Sequence, residues 1–142
     1  MSHPRELLDQ IEESYDLNKF EYEIFIFMLR CLDRFKNKLP NSIKQELEIA
    51  KNFRSGKANE TELEAAKLRV WSFISANKEQ IGKQKESLLR ALIFTLYPAI
   101  ESDSDAFEWV DWFIEFSNAA KPMENFQYQL IKEIFAEQLS SA

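Results

Sequence analysis

The chain has 142 residues, of which 45% are hydrophobic and 30% charged, with only two glycines and four prolines and a formal net charge of −6 at pH 7. Such a composition excludes a disordered tail, and the length suits one hydrophobic core rather than two. The longest apolar run, Ile24 to Leu29, falls far short of the roughly 18 residues of a membrane span, which excludes a transmembrane protein.

Apolar residues recur at intervals of three and four almost throughout, so the chain reads as seven helices. The first covers about 4–15, with Pro4 in its first turn and Leu7, Leu8 and Ile11 buried. Asn18 followed by Glu21 has the form of a capping box and opens a second, central helix to about Lys38. Its FEYEIFIFM stretch also alternates with period two, but the run is too long and too poor in turns for a strand. Pro40 ends it. Ser42 with Gln45 opens the third, which turns Ile43, Leu47, Ala50 and Phe53 inward and stops before Gly56, a residue suited to a left-handed C-terminal position. Asn59 with Glu62 caps the fourth, whose stripe is Leu63, Ala66, Val70, Phe73 and Ile74. The fifth runs from about Lys85 to Tyr97, where Pro98 stops it. The segment ESDSD (101–105) offers N-caps for a sixth helix to about Ala120. Pro122 starts the seventh, with Met123, Phe126, Leu130, Ile131 and Ile134 inward. The connections are short, so the expected fold is all-α: a single-domain compact bundle of about seven antiparallel helices over 1–142, with an irregular α-solenoid as its variant.

Reactive groups are scarce. One cysteine, Cys31, rules out an intramolecular disulfide and reads as a core residue. The single histidine, His3, reads as a mobile terminal residue without a role. Together they are too few for a Cys/His or Ser/His nucleophilic site or a transition-metal centre. The acidic pairs and triplet Glu12/Glu13, Glu46/Glu48 and Glu60/Glu62/Glu64 read as solvated helix faces, because none has a polar constellation nearby and residues two apart on a helix diverge. SDSD lacks the glycine and distant glutamate of a calcium loop, and neither glycine lies in a phosphate-binding motif. No catalytic residue, metal or cofactor is expected. The N-terminus lacks a secretory signal, so the expected location is the cytoplasm.

Charge is divided along the chain. Residues 1–90 hold 16 Lys or Arg against 15 Asp or Glu, whereas 91–142 hold two against nine. No basic residue lies between Arg90 and Lys121, while Glu101, Asp103, Asp105, Glu108, Asp111 and Glu115 all do. Affinity for nucleic acid rests on Lys and Arg, so the expected partner of this region is a basic protein rather than nucleic acid or membrane. The plainer reading is an acidic face that keeps the protein in solution.

The sixth helix carries the candidate site. At about 100° per residue, with Glu108 at zero, Asp111 falls near 300°, Glu115 near 340°, Trp112 near 40° and Asp105 near 60°. Trp112 therefore lies inside an acidic arc, with Trp109 and Phe116 at its border. The opposite face, Ala106, Phe107, Val110, Phe113 and Ile114, suffices for the core. An indole among carboxylates suits a binding hot spot approached by a basic partner; the competing reading has it covered by the ESDSD loop or the seventh helix. Asp105, Glu108, Trp109, Asp111, Trp112, Glu115 and Phe116 form the candidate partner-binding set. Trp71, which follows core position Val70, reads as packed against a neighbour.

The stretches LRVWSFISANK (68–78), LLRALIFTLYP (88–98) and DAFEWVDWFIEFSNAAKP (105–122) resemble the small all-α immunity proteins of bacterial toxin systems, including contact-dependent inhibition and polymorphic toxins. The resemblance covers roughly the C-terminal half. It implies a protein that binds one cognate toxin domain, often a nuclease, and blocks its active site or an essential surface. The alternative, from a different class, is a non-catalytic helical adaptor that self-associates or takes a partner helix. Composition does not set the oligomeric state.

Overall fold

In the computed structural model, which describes residues 3–140, the described chain is α-helical with short 3-10 turns and no strand. The helices are α1 (Pro4–Glu12), α2 (Glu21–Asp33), α3 (Lys44–Arg54), α4 (Glu60–Asn77), α5 (Gly82–Ile93), α6 (Ala106–Ala120), α7 (Glu124–Ile134) and a short α8 (Ala136–Ser140). The seven expected helices are present, and α8 is an addition. No helix among the described residues is long and apolar enough to cross a membrane.

Apolar stripes on each long helix meet in one core that runs from Leu7 to Phe135. Central α2 packs against α3, α6 and α7, while α5 packs against both α4 and α6. The first helix lies on α7 and α8, so the first and last helices close on each other and the bundle is not an open stack of pairs.

Where local capping chemistry is decisive, the elements form as expected. Asn59 and Glu62 make a reciprocal capping box at the start of α4: the Glu62 N–H donates to Asn59 Oδ1 (2.8 Å) and the Asn59 N–H to Glu62 Oε1 (3.0 Å). Gly56, at φ +80°, follows α3. The Lys57 and Gly56 N–H groups reach back to the carbonyls of Asn52 (2.7 Å) and Phe53 (3.2 Å), a Schellman motif. His3 is not a loose terminal residue: its Nδ1 accepts the Arg5 N–H (3.0 Å) and its Nε2 meets Glu124 at 2.9 Å. That pair of contacts suits the neutral tautomer protonated on Nε2, which ties the start of α1 to α7.

The main departure is at Asn18 and Glu21. Instead of a box at the head of α2, Asp16 caps a 3-10 turn over Leu17–Phe20, and α2 begins only at Glu21. Both side chains serve remote backbone. Asn18 Oδ1 accepts the Ala106 N–H (2.9 Å), the first N–H of α6, and Glu21 Oε1 accepts that of Ile100 (2.6 Å). Asp105, the N-cap of α6, makes no side-chain cap bond; its Oδ1 instead accepts from Asn18 Nδ2 (3.2 Å). Because these contacts join the N-terminal ends of α2 and α6, the two helices share an acidic end. Their C-terminal ends share a basic one, where Arg34, Lys38, Lys83, Lys85 and Lys121 line two adjoining hollows that both include Phe35. Replacing Asn18 with Ala is expected to cost about 1–2 kcal/mol, as for lost N-caps. The change should appear as a lower urea midpoint at unchanged m. Asn18→Asp should not rescue, because it removes the amide donors and adds a charge beside Asp16 and Asp105.

Other boundaries shift for similar reasons. The second helix stops at Asp33 rather than Lys38, because its last turn tightens into i→i−3 bonds (Phe35 N–H to Leu32 O, 2.9 Å) that send Phe35 and Leu39 into the core. At the end of α5 the Phe94, Thr95 and Leu96 N–H groups bond i−3 carbonyls, so the α-helix stops before Tyr97. Pro122 lies outside α7. Its approach is held by Asn118, whose Oδ1 accepts the Met123 N–H (2.7 Å) and whose Nδ2 donates to Gln127 Oε1 (2.8 Å). Fully buried Gln127 in turn donates to Ser117 Oγ (2.8 Å).

Candidate partner-binding surface on the sixth helix

Helix α6 sits between α5 and α2, and Arg5 of α1 reaches its other flank. Its apolar side supplies Ala106, Val110, Phe113 and Ile114 to the core, all buried, with Phe113 edge-on to Phe27 of α2 (6.1 Å between centroids). Phe107 is half-buried beneath the Arg5 guanidinium. These contacts fix the rotation of α6, and the rotation fixes what faces solvent.

Trp112 is 57% exposed. Neither the 101–105 loop nor α7 covers it; its ring stacks on Phe116 one turn on, with centroids 5.9 Å apart and planes 29° apart. Glu108 and Glu115 are exposed beside it. Half-buried Asp105 begins the helix at the rim of an open hollow of about 590 Å³, which Glu21, Glu101, Asp103 and Glu108 also line.

Two members of the expected set turn elsewhere. Trp109 is 7% exposed, held edge-on between Phe94 (5.2 Å) and Tyr97 (5.1 Å), with its Nε1 buried and without a hydrogen-bond partner. The chain beyond α5 covers the border position that the helical wheel left open. Asp111 faces α1 and pairs with Arg5 at 3.2 Å, its side chain 20% exposed. The surface that remains is Glu108, Trp112, Glu115 and Phe116, with Asp105 at its head.

The sequence reading missed the exposed apolar residues of α4. Leu68 is 56% and Trp71 37% exposed. A wheel centred on Leu63 already separates them, with Trp71 about 80° and Leu68 about 140° from that residue. Trp71 is only partly packed, its ring 5.3 Å from the Arg90 guanidinium.

Several of the paired carboxylates, and the thiol, are committed to structure. Glu46 is not a solvated residue: it is 2% exposed and accepts from Arg69 Nε (3.1 Å) and Nη2 (2.8 Å), bonds that hold the Arg69 guanidinium above its ordinary pKa. Glu48 pairs with Lys51, Glu64 with Lys67, and Glu12 accepts the Leu17 N–H. Burial pushes the Cys31 thiol up, away from the reactive thiolate. Among the described residues no group of three His, Cys, Asp or Glu is placed to hold a metal ion.

Comparison with known protein families, curated proteins and solved structures returns no match to this chain.

Proposed function

We propose that the chain is an immunity protein, itself no catalyst, that acts in the cytoplasm on one cognate bacterial toxin domain, a nuclease with a basic cleft. It neutralises the toxin by occupying that cleft or the substrate surface around it. The observation that carries this reading is Trp112: a large indole, more than half exposed, stacked on Phe116 and flanked by the free carboxylates of Glu108 and Glu115. Tryptophan is enriched among binding hot spots because it buries a large apolar area at small entropic cost. Carboxylates around it steer a cationic surface and compete there with substrate phosphates.

The test is a titration against the C-terminal domain of whatever protein is encoded immediately upstream in the source genome, the expected toxin. Binding should be tight and one-to-one. Trp112→Ala should weaken it by about 2 kcal/mol or more, roughly 30-fold. Reversing Glu108 and Glu115 to Lys should slow association and flatten its salt dependence; unchanged kinetics at low salt would sink the acidic-face mechanism.

A second reading, the non-catalytic helical adaptor, draws on Leu68 and Trp71 exposed on α4. It predicts a self-associated chain in sedimentation experiments and no affinity for the toxin.

A further inference from the structure

We infer that the partner's footprint crosses from α6 over α5 to α4, with Trp71 as a second anchor, and that it fits a protein surface bearing an apolar ridge beside cationic side chains. This rests on the immunity reading, since the occupant is the same toxin domain. A specific interface covers about 800 Å² on each partner, with some 20–30 residues a side, far more than Trp112 and its neighbours on one helix provide. The footprint must extend, and the two flanks of α6 differ. Toward α1 the next group is Asp111, already paired with Arg5. Toward α5 the aromatic surface continues through Phe116 to Phe94, and the Arg90 guanidinium on α5 stands against Trp71 of α4.

The path runs from ring to ring as far as Phe94, then along α5 to a cation over a ring. Trp112 stacks on Phe116, and Phe116 meets Phe94 at 5.9 Å. Phe94 lies one turn beyond Arg90, whose guanidinium is 5.3 Å from the Trp71 ring. Leu68, one turn before Trp71 on α4, extends the edge. With neighbouring helix axes about 8–10 Å apart, three helices give a face about 20 Å across, the scale of a standard interface. Its charge is divided. Glu108 and Glu115 lie on the side of Trp112 away from α5, while Arg90 in the middle is bonded to Glu86 (2.9 Å). The complement therefore carries its cations over the outer side of α6 and its apolar ridge over α5 and α4. A second copy of this chain offers no free cation to those carboxylates on the same face: Arg90, in its middle, is already bonded to Glu86.

The experiment uses the full chain labelled with 5-fluorotryptophan, unlabelled upstream-encoded toxin domain, and affinity titrations of the native chain, Trp71→Ala, Trp112→Ala and Tyr22→Ala. Trp71→Ala should weaken binding about tenfold or more, whereas Tyr22→Ala, exposed on α2, should leave it unchanged. On complex formation the fluorine resonances of Trp71 and Trp112 should both shift. That readout needs no substitution, so a poorly folded variant cannot mask the answer. If the native chain does not bind the toxin domain, the immunity reading fails and takes this inference with it. If Trp112→Ala loses binding while Trp71→Ala matches the native chain and the Trp71 resonance stays put, the footprint ends on α6 and this inference alone is overturned. A native dimer that Trp71→Ala dissociates would assign the face to a second copy, which also overturns it.

Discussion

Arg69→Ala is expected to destabilise the fold by about 3–5 kcal/mol, although its side chain is half exposed. The loss comes from the residue left behind. Glu46 sits on α3 with its side chain 3% exposed, and both observed donors to its Oε1 come from Arg69 on α4. Removing them leaves a carboxylate, 3% exposed beside the native arginine, between two packed helices without its donors. The reverse truncation should cost much less: in Glu46→Met the arginine head group turns to solvent and the methionine fills the volume. A urea series on both variants checks this asymmetry, and equal losses would show that the pair acts only through packing. Because Arg69 is held above its ordinary pKa, its charge is present in folded and unfolded chains alike below the arginine range. The contribution of the pair on this side is therefore lost only as pH rises past that range.

Arg54→Ala is expected to cost about 3 kcal/mol and to loosen the segment that leads into α6. The guanidinium lies over the Phe25 ring at 3.6 Å and near Phe53 at 4.9 Å, and donates to the carbonyls of Pro98 (3.0 Å) and Tyr97. Charge-assisted hydrogen bonds contribute about 1.5–3 kcal/mol, and a desolvated cation over an aromatic ring about 2 kcal/mol. Burial acts against both, lowering the Arg54 pKa to about 10 even though Glu21 favours the charge. With the folded value below the unfolded one, this group's burial penalty is constant through neutral pH and is relieved only as pH rises past about 10. The loss in Arg54→Ala should therefore be flat between pH 5 and 9. Arg54→Met, which keeps the contact with Phe25 but not the carbonyl bonds, should lose about half as much. Amide exchange should report where the effect lands, with faster exchange at Ile100 and Ala106 and little change in α7.

Local signals in the chain were strong enough to name the helices and some of their ends. Asn59, Glu62 and Gly56 act within a few residues of themselves, so their chemistry is visible in a short window. Asn18 and Glu21 carry the same spacing as Asn59 and Glu62, yet the N–H groups they satisfy belong to Ala106 and Ile100. Nothing in a four-residue window separates a cap for the next helix from one for a helix 88 residues away. The surface of α6 divides in the same manner. Periodicity placed Trp112 on the polar arc, where it is exposed, but Trp109 and Asp111 lie at the flanks, where the neighbours decide. Phe94 and Tyr97 cover Trp109, and Arg5 claims Asp111. Trp71 packs against Arg90 of α5 yet stays 37% exposed, because a helix turns about 100° from core Val70 to the next residue.

Helices α2 and α6 also share their polarity, and this gives the molecule a direction. Their N-terminal ends meet at the Asn18–Asp105 contact among Glu21, Glu101, Asp103 and Glu108, and their C-terminal ends meet among Arg34, Lys38 and Lys121. Thirteen to fifteen residues separate the ends, about 20 Å at 1.5 Å per residue, which exceeds the Debye length of about 8 Å at physiological ionic strength. The side-chain charges thus form a dipole along the bundle, antiparallel to the macrodipoles of the two helices that carry it. In the field of a cationic surface the molecule experiences a torque before it makes contact. It turns its acidic tip, and with it the start of α6, toward that surface, while a polyanion would meet the opposite end.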